Sequence, residues 1–127
     1  MKIYFHYSLI RNYNYIMPEK FYITTSIPYT NASPHIGFAL EIIQADVLAR
    51  RNRANGKDVY FLTGTDEHGL KTLRAAETAG KTAMEFADEM SDKFKGLAGV
   101  LNISNTDFIR TTDEVRHKES VYKLWQK

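Results

Sequence analysis

The chain has 127 residues, which is room for one ordinary domain and too little for two. A composition of 43% hydrophobic, 13% aromatic and 25% charged residues excludes disordered, collagen-like and low-complexity polymers. The lack of cysteine excludes a disulfide scaffold and thiolate-bound zinc, and a formal charge of +2 gives no strongly basic nucleic-acid footprint in the totals.

Met1 to Ile16 is rich in Tyr and Asn and has neither helical nor strand periodicity. Lys2 and Arg11 in this stretch take two of the 17 basic residues, so residues 17–127 hold 15 basic groups against 15 acidic ones, with Arg50, Arg51 and Arg53 as a local cluster. The stretch lacks the apolar block and small-residue cleavage site of an export signal. No apolar run reaches the roughly 18 to 20 residues that span a bilayer, so no membrane partner is expected. Residues 1–16 are therefore expected to be a separate extension, disordered or produced by a start codon placed too early, and residues 17–127 the folded unit.

Lys20 to Thr25 is a compact β-rich run and predicts the first strand. A loop follows from Ser26 to Ser33. The Ser33-Pro34 pair predicts a helix start at Pro34, because serine caps free N–H groups and proline is tolerated at the first helical position. Ile36, Ala39, Leu40, Ile43, Val47 and Leu48 recur at spacings of three and four and predict the buried stripe of that helix, which Gly56 ends. Asp58 to Thr63 predicts a second strand, so the three elements form a βαβ unit with parallel strands.

A second helix is expected from about Gly69 to Ala79, stopped by Gly80. Thr82 and Glu85 form a capping box for a third helix, with Phe86, Met90, Phe94, Leu97 and Leu101 as its buried stripe. Thr106 to Arg110 predicts a third short strand, and Asp113 opens a last helix containing Val115, Tyr122 and Trp125. That helix has no stop signal, so the chain is expected to be a fragment of a longer protein.

In open parallel sheets ligands bind beyond the carboxyl ends of the strands, which singles out the loops Ser26–Phe38 and Thr63–Gly69. The first leads into a helix N-terminus, where free N–H groups and the dipole favour an anion, with His35 and Gly37 in the first turn. The second offers Asp66, Glu67 and His68 as metal ligands, a proton-transfer pair or a carboxylate for a ligand ammonium group. Metal binding is the poorest of the three readings, since three adjacent residues rarely converge on one ion.

Taken together, Tyr22-Ile23-Thr24-Thr25-Ser26-Ile27-Pro28-Tyr29-Thr30-Asn31, Pro34-His35-Ile36-Gly37, Gln44 to Arg50 and Phe61 to Gly69 resemble the N-terminal half of the catalytic domain of methionyl-tRNA synthetases. The similarity continues through Leu101-Asn102-Ile103-Ser104 and Phe108 to Asp113. The His-Ile-Gly motif alone marks any class I aminoacyl-tRNA synthetase, whereas the Pro-Tyr-x-Asn and Thr-Gly-Thr-Asp-Glu-His-Gly loops select methionine.

The resemblance implies an α/β fold, the first half of a class I synthetase Rossmann-like nucleotide-binding fold with parallel strands and crossover helices. It implies ATP-dependent activation of methionine to methionyl-adenylate and transfer to tRNA(Met) by a cytoplasmic enzyme, with ATP as a substrate accompanied by Mg2+ and no zinc site within this chain. His35 and Gly37 are implied as catalytic and ATP-binding, Gly37 letting adenine approach the backbone, and Ile27, Tyr29 and Asp66 as methionine-binding, with Asp66 pairing with the ammonium group. Phe38 is implied at the ATP site, but it replaces the second histidine of the family's His-Ile-Gly-His signature, and an apolar ring cannot donate to phosphate. The Lys-Met-Ser-Lys-Ser loop and the anticodon-binding helices have no counterpart here, so this chain alone is expected not to charge tRNA. Alternative readings are another class I synthetase or nucleotidylyltransferase, which leaves the Asp66 loop unexplained, and a nonenzymatic nucleotide-binding remnant.

Overall fold

The computed structural model describes residues 17–127, and the expectation for residues 1–16 lies outside them. The elements are β1 (Lys20–Thr24), α1 (Ile36–Ala54), β2 (Asp58–Thr65), α2 (Leu70–Thr78), α3 (Ala83–Val100) and β3 (Asp107–Arg110). A π-helical turn (Glu114–Lys118) and α4 (Glu119–Trp125) follow. The strands form one sheet in the order β1-β2-β3, with both pairings parallel. This is the α/β arrangement expected from the βαβ pattern, with β2 in the centre and β1 at an edge.

Side-chain alternation along the strands decides where the core lies. Phe21 pairs in register with Val59, Ile23 with Phe61 and Thr63 with Phe108, so these residues share one face. On that face they meet Phe38, Ile42, Ala45 and Ala49 of α1 and Phe94 and Ala98 of α3. A second, smaller cluster of Ala76, Phe86 and Met90 joins α2 to α3. On the opposite face Tyr22 and Tyr60 stack at 5.9 Å between ring centroids and remain exposed.

The capping box expected for α3 is present, with Glu85 N–H donating to the Thr82 hydroxyl and the Glu85 carboxylate accepting from the Thr82 backbone. Phe86, Met90 and Phe94 are buried as the stripe predicted. Asp113 opens the π-helical turn and accepts from the backbone N–H groups of Val115 and Arg116, as its position suggested.

Two expectations about α1 are overturned. Its N-cap is His35 and not Ser33, and the helix starts at Ile36. The stripe also lies on the other side: Ile36, Leu40, Ile43, Val47 and Leu48 are exposed, Ile36 at 87%, while Phe38, Ile42, Ala45, Asp46 and Ala49 are buried. The physical reason is that α1 is apolar around most of its circumference, so spacings of three and four pick out two stripes. The stripe with small residues at 45 and 49 faces the sheet, because alanine lets a helix approach closely.

Asp46 is the polar exception in this buried stripe. Its Oδ1 accepts from Ser104 N–H at 2.8 Å and from the Ser104 hydroxyl, and its Oδ2 accepts from Arg50 at 2.6 Å. Burial pushes this carboxyl upward, but the bonds from Ser104 and the Arg50 guanidinium outweigh burial and hold it below its ordinary value. Arg53 donates to the Ser104 carbonyl oxygen at 2.9 Å. The link through Ser104 ties α1 to the segment that leads into β3.

The β2–β3 contact leaves no room for a side chain at Gly64. A Cβ there would lie 2.1 Å from the carbonyl oxygen of Ile109 and 2.7 Å from its Cγ2 atom. Gly64→Ala is expected to lower stability by about 3 kcal/mol, read as a fall in the midpoint of urea unfolding. Because the folded-state pKa of Asp46 is depressed, its contribution is present above the ordinary carboxylate range and is lost as pH falls through the folded value. Asp46→Asn is therefore expected to flatten the acid limb of stability against pH, measured by thermal melts between about pH 2 and 7.

Candidate functional site

The two loops singled out in the sequence meet at the carboxyl edge of the sheet. Asp66 N–H donates to the Pro28 carbonyl at 2.8 Å, and Thr30 N–H donates to the Asp66 carbonyl at 3.1 Å, which makes Tyr29 and Asp66 a parallel bridge beyond the named strands. The β1–β2 ladder thus continues past the strand ends and fixes Tyr29 beside Asp66. Farther back, the hydroxyls of Thr25 and Thr63 are 2.7 Å apart. Ser26 donates from its backbone N–H and its hydroxyl to the Glu41 carboxylate at 2.6 and 2.7 Å, tying the first loop to α1.

At the start of α1, Gly37 N–H donates to His35 Nδ1 at 3.0 Å. This bond commits Nδ1 as an acceptor, so the neutral ring carries its proton on Nε2. It also explains Gly37: an added Cβ would lie 2.8 Å from His35 Cε1 and 3.0 Å from Nδ1. Glycine at 37 leaves room for the histidine ring that caps the helix.

Phe38 points the other way. It is 4% exposed, and its ring packs edge-on against Phe94 at 5.1 Å between centroids and 87° between planes. With Phe94 it lines a cleft of about 260 Å³ to which Tyr29, Asn31, Ser33 and His35 also contribute. The position that holds a histidine in the family signature is here part of the hydrophobic core.

In the second loop the three neighbouring polar residues part company. Asp66 is half-buried, and its carboxylate makes no hydrogen bond or ion pair among the described residues. The Glu67 side chain is fully withdrawn from solvent. Its Oε1 accepts from the Thr65 hydroxyl at 2.8 Å and from Arg110 Nε at 2.7 Å, and its Oε2 accepts from the Thr112 hydroxyl. Glu67 N–H donates to the Thr111 hydroxyl at 2.8 Å. Asp88 of α3 lies 2.6 Å from another nitrogen of Arg110. The hydrogen bond with Glu67 raises the Arg110 pKa above its ordinary value, against an opposing contribution from desolvation. His68 is exposed, and its Nε2 is 3.2 Å from the Thr111 carbonyl oxygen.

Of the residues expected at the site, His35 and Gly37 stand at the α1 N-terminus and Tyr29 adjoins Asp66, while Ile27 lies in the same first loop, 37% exposed. Sequence reasoning missed that Glu67 is an internal anchor. The available signal was the Arg110-Thr111-Thr112 run after β3, whose donors match a carboxylate. Among the described residues no group of three His, Asp or Glu side chains can hold a metal ion, and no helix is long and apolar enough to cross a membrane.

Comparison with known proteins agrees with this geometry. Residues 21–127 match the family model described as tRNA synthetases class I (M), and the chain belongs to that family. A methionine–tRNA ligase of Brucella suis is 54% identical over 108 residues, covering 85% of this chain and 21% of its own length. One from Thermotoga maritima is 59% identical over 99 residues, covering 78% of this chain and 16% of the relative. Among solved structures, a Mycobacterium tuberculosis methionyl-tRNA synthetase in complex with methionyl-adenylate matches with a TM-score of 0.82 and 48% identity, covering 85% of this chain and 21% of that one. The chain thus spans about a fifth of the length of these relatives, and the match lies in the Rossmann-like catalytic fold that the resemblance implied.

Since Glu67 anchors the second loop, Glu67→Gln is expected to cost about 2 kcal/mol of stability. That is less than the roughly 3 to 5 kcal/mol of breaking a fully buried pair, because Arg110 keeps Asp88. Urea unfolding of the two proteins side by side measures the difference.

Proposed function

We propose that this chain supplies the amino-acid and α-phosphate side of a methionine-activating site, in an enzyme that joins methionine to tRNA through methionyl-adenylate. The observation that carries the reading is the Asp66 carboxylate, half-buried, free of partners among the described residues and fixed beside Tyr29 by two backbone hydrogen bonds. A carboxylate in that state suits a ligand ammonium group, because the surroundings strengthen the attraction and no internal cation competes. The relative solved with methionyl-adenylate and the identity to methionine–tRNA ligases support the choice of methionine.

The chemistry asked of these residues is modest and local. Methionine would place its ammonium group at Asp66 and its thioether against Tyr29 and Ile27, whose aromatic and aliphatic surfaces suit a polarizable sulfur. Its carboxylate attacks the α-phosphorus of ATP, the bond to the β-phosphate oxygen breaks, and pyrophosphate leaves. Negative charge on the α-phosphate oxygens rises in the transition state, and the His35 Nε2 proton together with the α1 N-terminus would meet it.

Gly37 serves by leaving room for the His35 ring and keeps the backbone open to the nucleotide. Phe38 offers no second donor and packs into the core against Phe94. Mg2+ would arrive with the triphosphate as part of the substrate. Residues 17–127 act as one unit in this reading, which takes tRNA as the partner and the cytoplasm as the place of work, supported by the naming of the relatives as methionine–tRNA ligases.

The test is calorimetric titration of the 127-residue chain with a non-hydrolysable methionyl-adenylate analogue. Asp66→Ala and Asp66→Asn are both expected to weaken binding about tenfold or more, equivalent to about 1.4 kcal/mol. Equal affinity in all three proteins would remove Asp66 from the site.

A further inference from the structure

The first loop is tied to the rest of the fold near its middle and again at its start. Near the middle, Pro28 and Thr30 hold Tyr29 beside Asp66 through two backbone hydrogen bonds. At the start, Ser26 is held by Glu41, a partly buried residue of α1. Glu41 Oε1 accepts from the Ser26 N–H at 2.6 Å, and Oε2 accepts from the Ser26 hydroxyl at 2.7 Å. The Ser26 carbonyl oxygen accepts from the Thr25 hydroxyl at 2.7 Å, so every polar group of this exposed loop residue is engaged.

Neither of the common roles of a helix carboxylate applies to Glu41. It makes no ion pair among the described residues. It also lies past the first turn of α1, and the favourable effect of the N-terminal dipole fades within that turn. What remains is geometry. Glu41 comes four residues after Gly37, so the two share one face of the helix. A grip by both carboxylate oxygens therefore runs from the helix that begins after His35 to the residue before Ile27.

We infer that Glu41 is a positioning residue for methionine activation, an inference that rests on the proposed site. Through Ser26 it fixes the separation between the methionine side, Ile27, Tyr29 and Asp66, and the phosphate side, His35 and the α1 N-terminus. Attack of the methionine carboxylate on the α-phosphorus requires both groups in one geometry, and a misplacement of about 1 Å lowers such a rate by up to about a hundredfold. Each side keeps its own contacts without Glu41: Tyr29 and Asp66 keep their backbone bridge, and His35 keeps its bond from Gly37. Glu41 thus governs how the two sides stand to each other rather than whether either exists.

Calorimetric titration of the 127-residue chain with L-methionine, with AMP and with the non-hydrolysable methionyl-adenylate analogue tests this role. Glu41→Ala is expected to weaken the analogue about tenfold and to change methionine and AMP by no more than about twofold, because only a ligand spanning both sides gains from their fixed separation. Glu41→Gln is expected to bind the analogue within about twofold of the unaltered chain, since its amide oxygen accepts from the Ser26 N–H and its NH2 group donates to the Ser26 hydroxyl. Ser26→Ala, at an exposed position, removes half of the grip and is expected to weaken the analogue about threefold. Analogue binding unchanged in Glu41→Ala or in Ser26→Ala would overturn the role, as would equal weakening of all three ligands. Glu41→Gln behaving like Glu41→Ala would overturn it too, because charge and not geometry would then be the cause. An unaltered chain that binds none of the ligands removes the methionine-activating site itself, whereas variants that all bind like the unaltered chain remove only the role of Glu41.

Discussion

Everything at the carboxyl edge of the sheet depends on one buried carboxylate. Glu67 stands between Asp66 and His68, and its side chain reaches inward to Arg110, Thr65 and Thr112 while its N–H reaches Thr111. An ionised group without water is tolerated only when its acceptor sites are filled, and here donors from β2, from the end of β3 and from the residues after it fill them. The cost of burying the charge is offset only in one geometry, which gives the loop a single register. Asp66 is held toward Tyr29 because Glu67 is held away from it.

The same logic accounts for the first loop on a smaller scale. His35 caps α1 with its own Nδ1, so the ring is oriented by the helix it begins. Gly37 is required by that cap, since a Cβ would collide with the ring. The two residues of the His-x-Gly motif are thus one device: a cap and the space for it. Phe38 then carries the helix into the core through Phe94. An apolar ring is stable there, whatever a histidine in the same position does elsewhere in the family.

Much of this was legible in the sequence, and the parts that were not share a cause. The strands, their parallel order and the α3 capping box depend on local alternation and on pairings three residues apart, which a linear reading can see. The buried face of α1 was misread because apolar residues surround the helix, and the face with alanines at 45 and 49 wins only once the sheet is present to be approached. Ser33-Pro34 looked like the helix start because the rule for serine caps is general, whereas a histidine cap needs the glycine two residues on to admit its ring. Glu67 looked like one of three equivalent polar residues because all its partners but Thr65 are more than forty residues away in the chain. Local chemistry shows which loops are polar, and only tertiary packing sorts the polar groups into anchors and free ends.

That sorting has a counterpart at the helix ends. Every crossover helix that follows a parallel strand begins near the ligand-binding edge, so topology alone aims the N-termini of α1 and α2 at the same region. What distinguishes them is how they are capped. The α3 helix begins with Thr82 and the acidic Glu85, the π-helical turn begins with Asp113 and Glu114, and α4 carries Glu119 in its first turn. In each case a carboxylate stands in the first turn, where the dipole favours it. The α1 and α2 helices have no acidic residue in the first turn, and their caps are a histidine ring and a glycine. Two helix starts therefore carry no carboxylate of their own in the first turn. Between them the internal pairing of Glu67 with Arg110 occupies the cation that β3 brings to this edge, so the loop's anchor is paired within the fold.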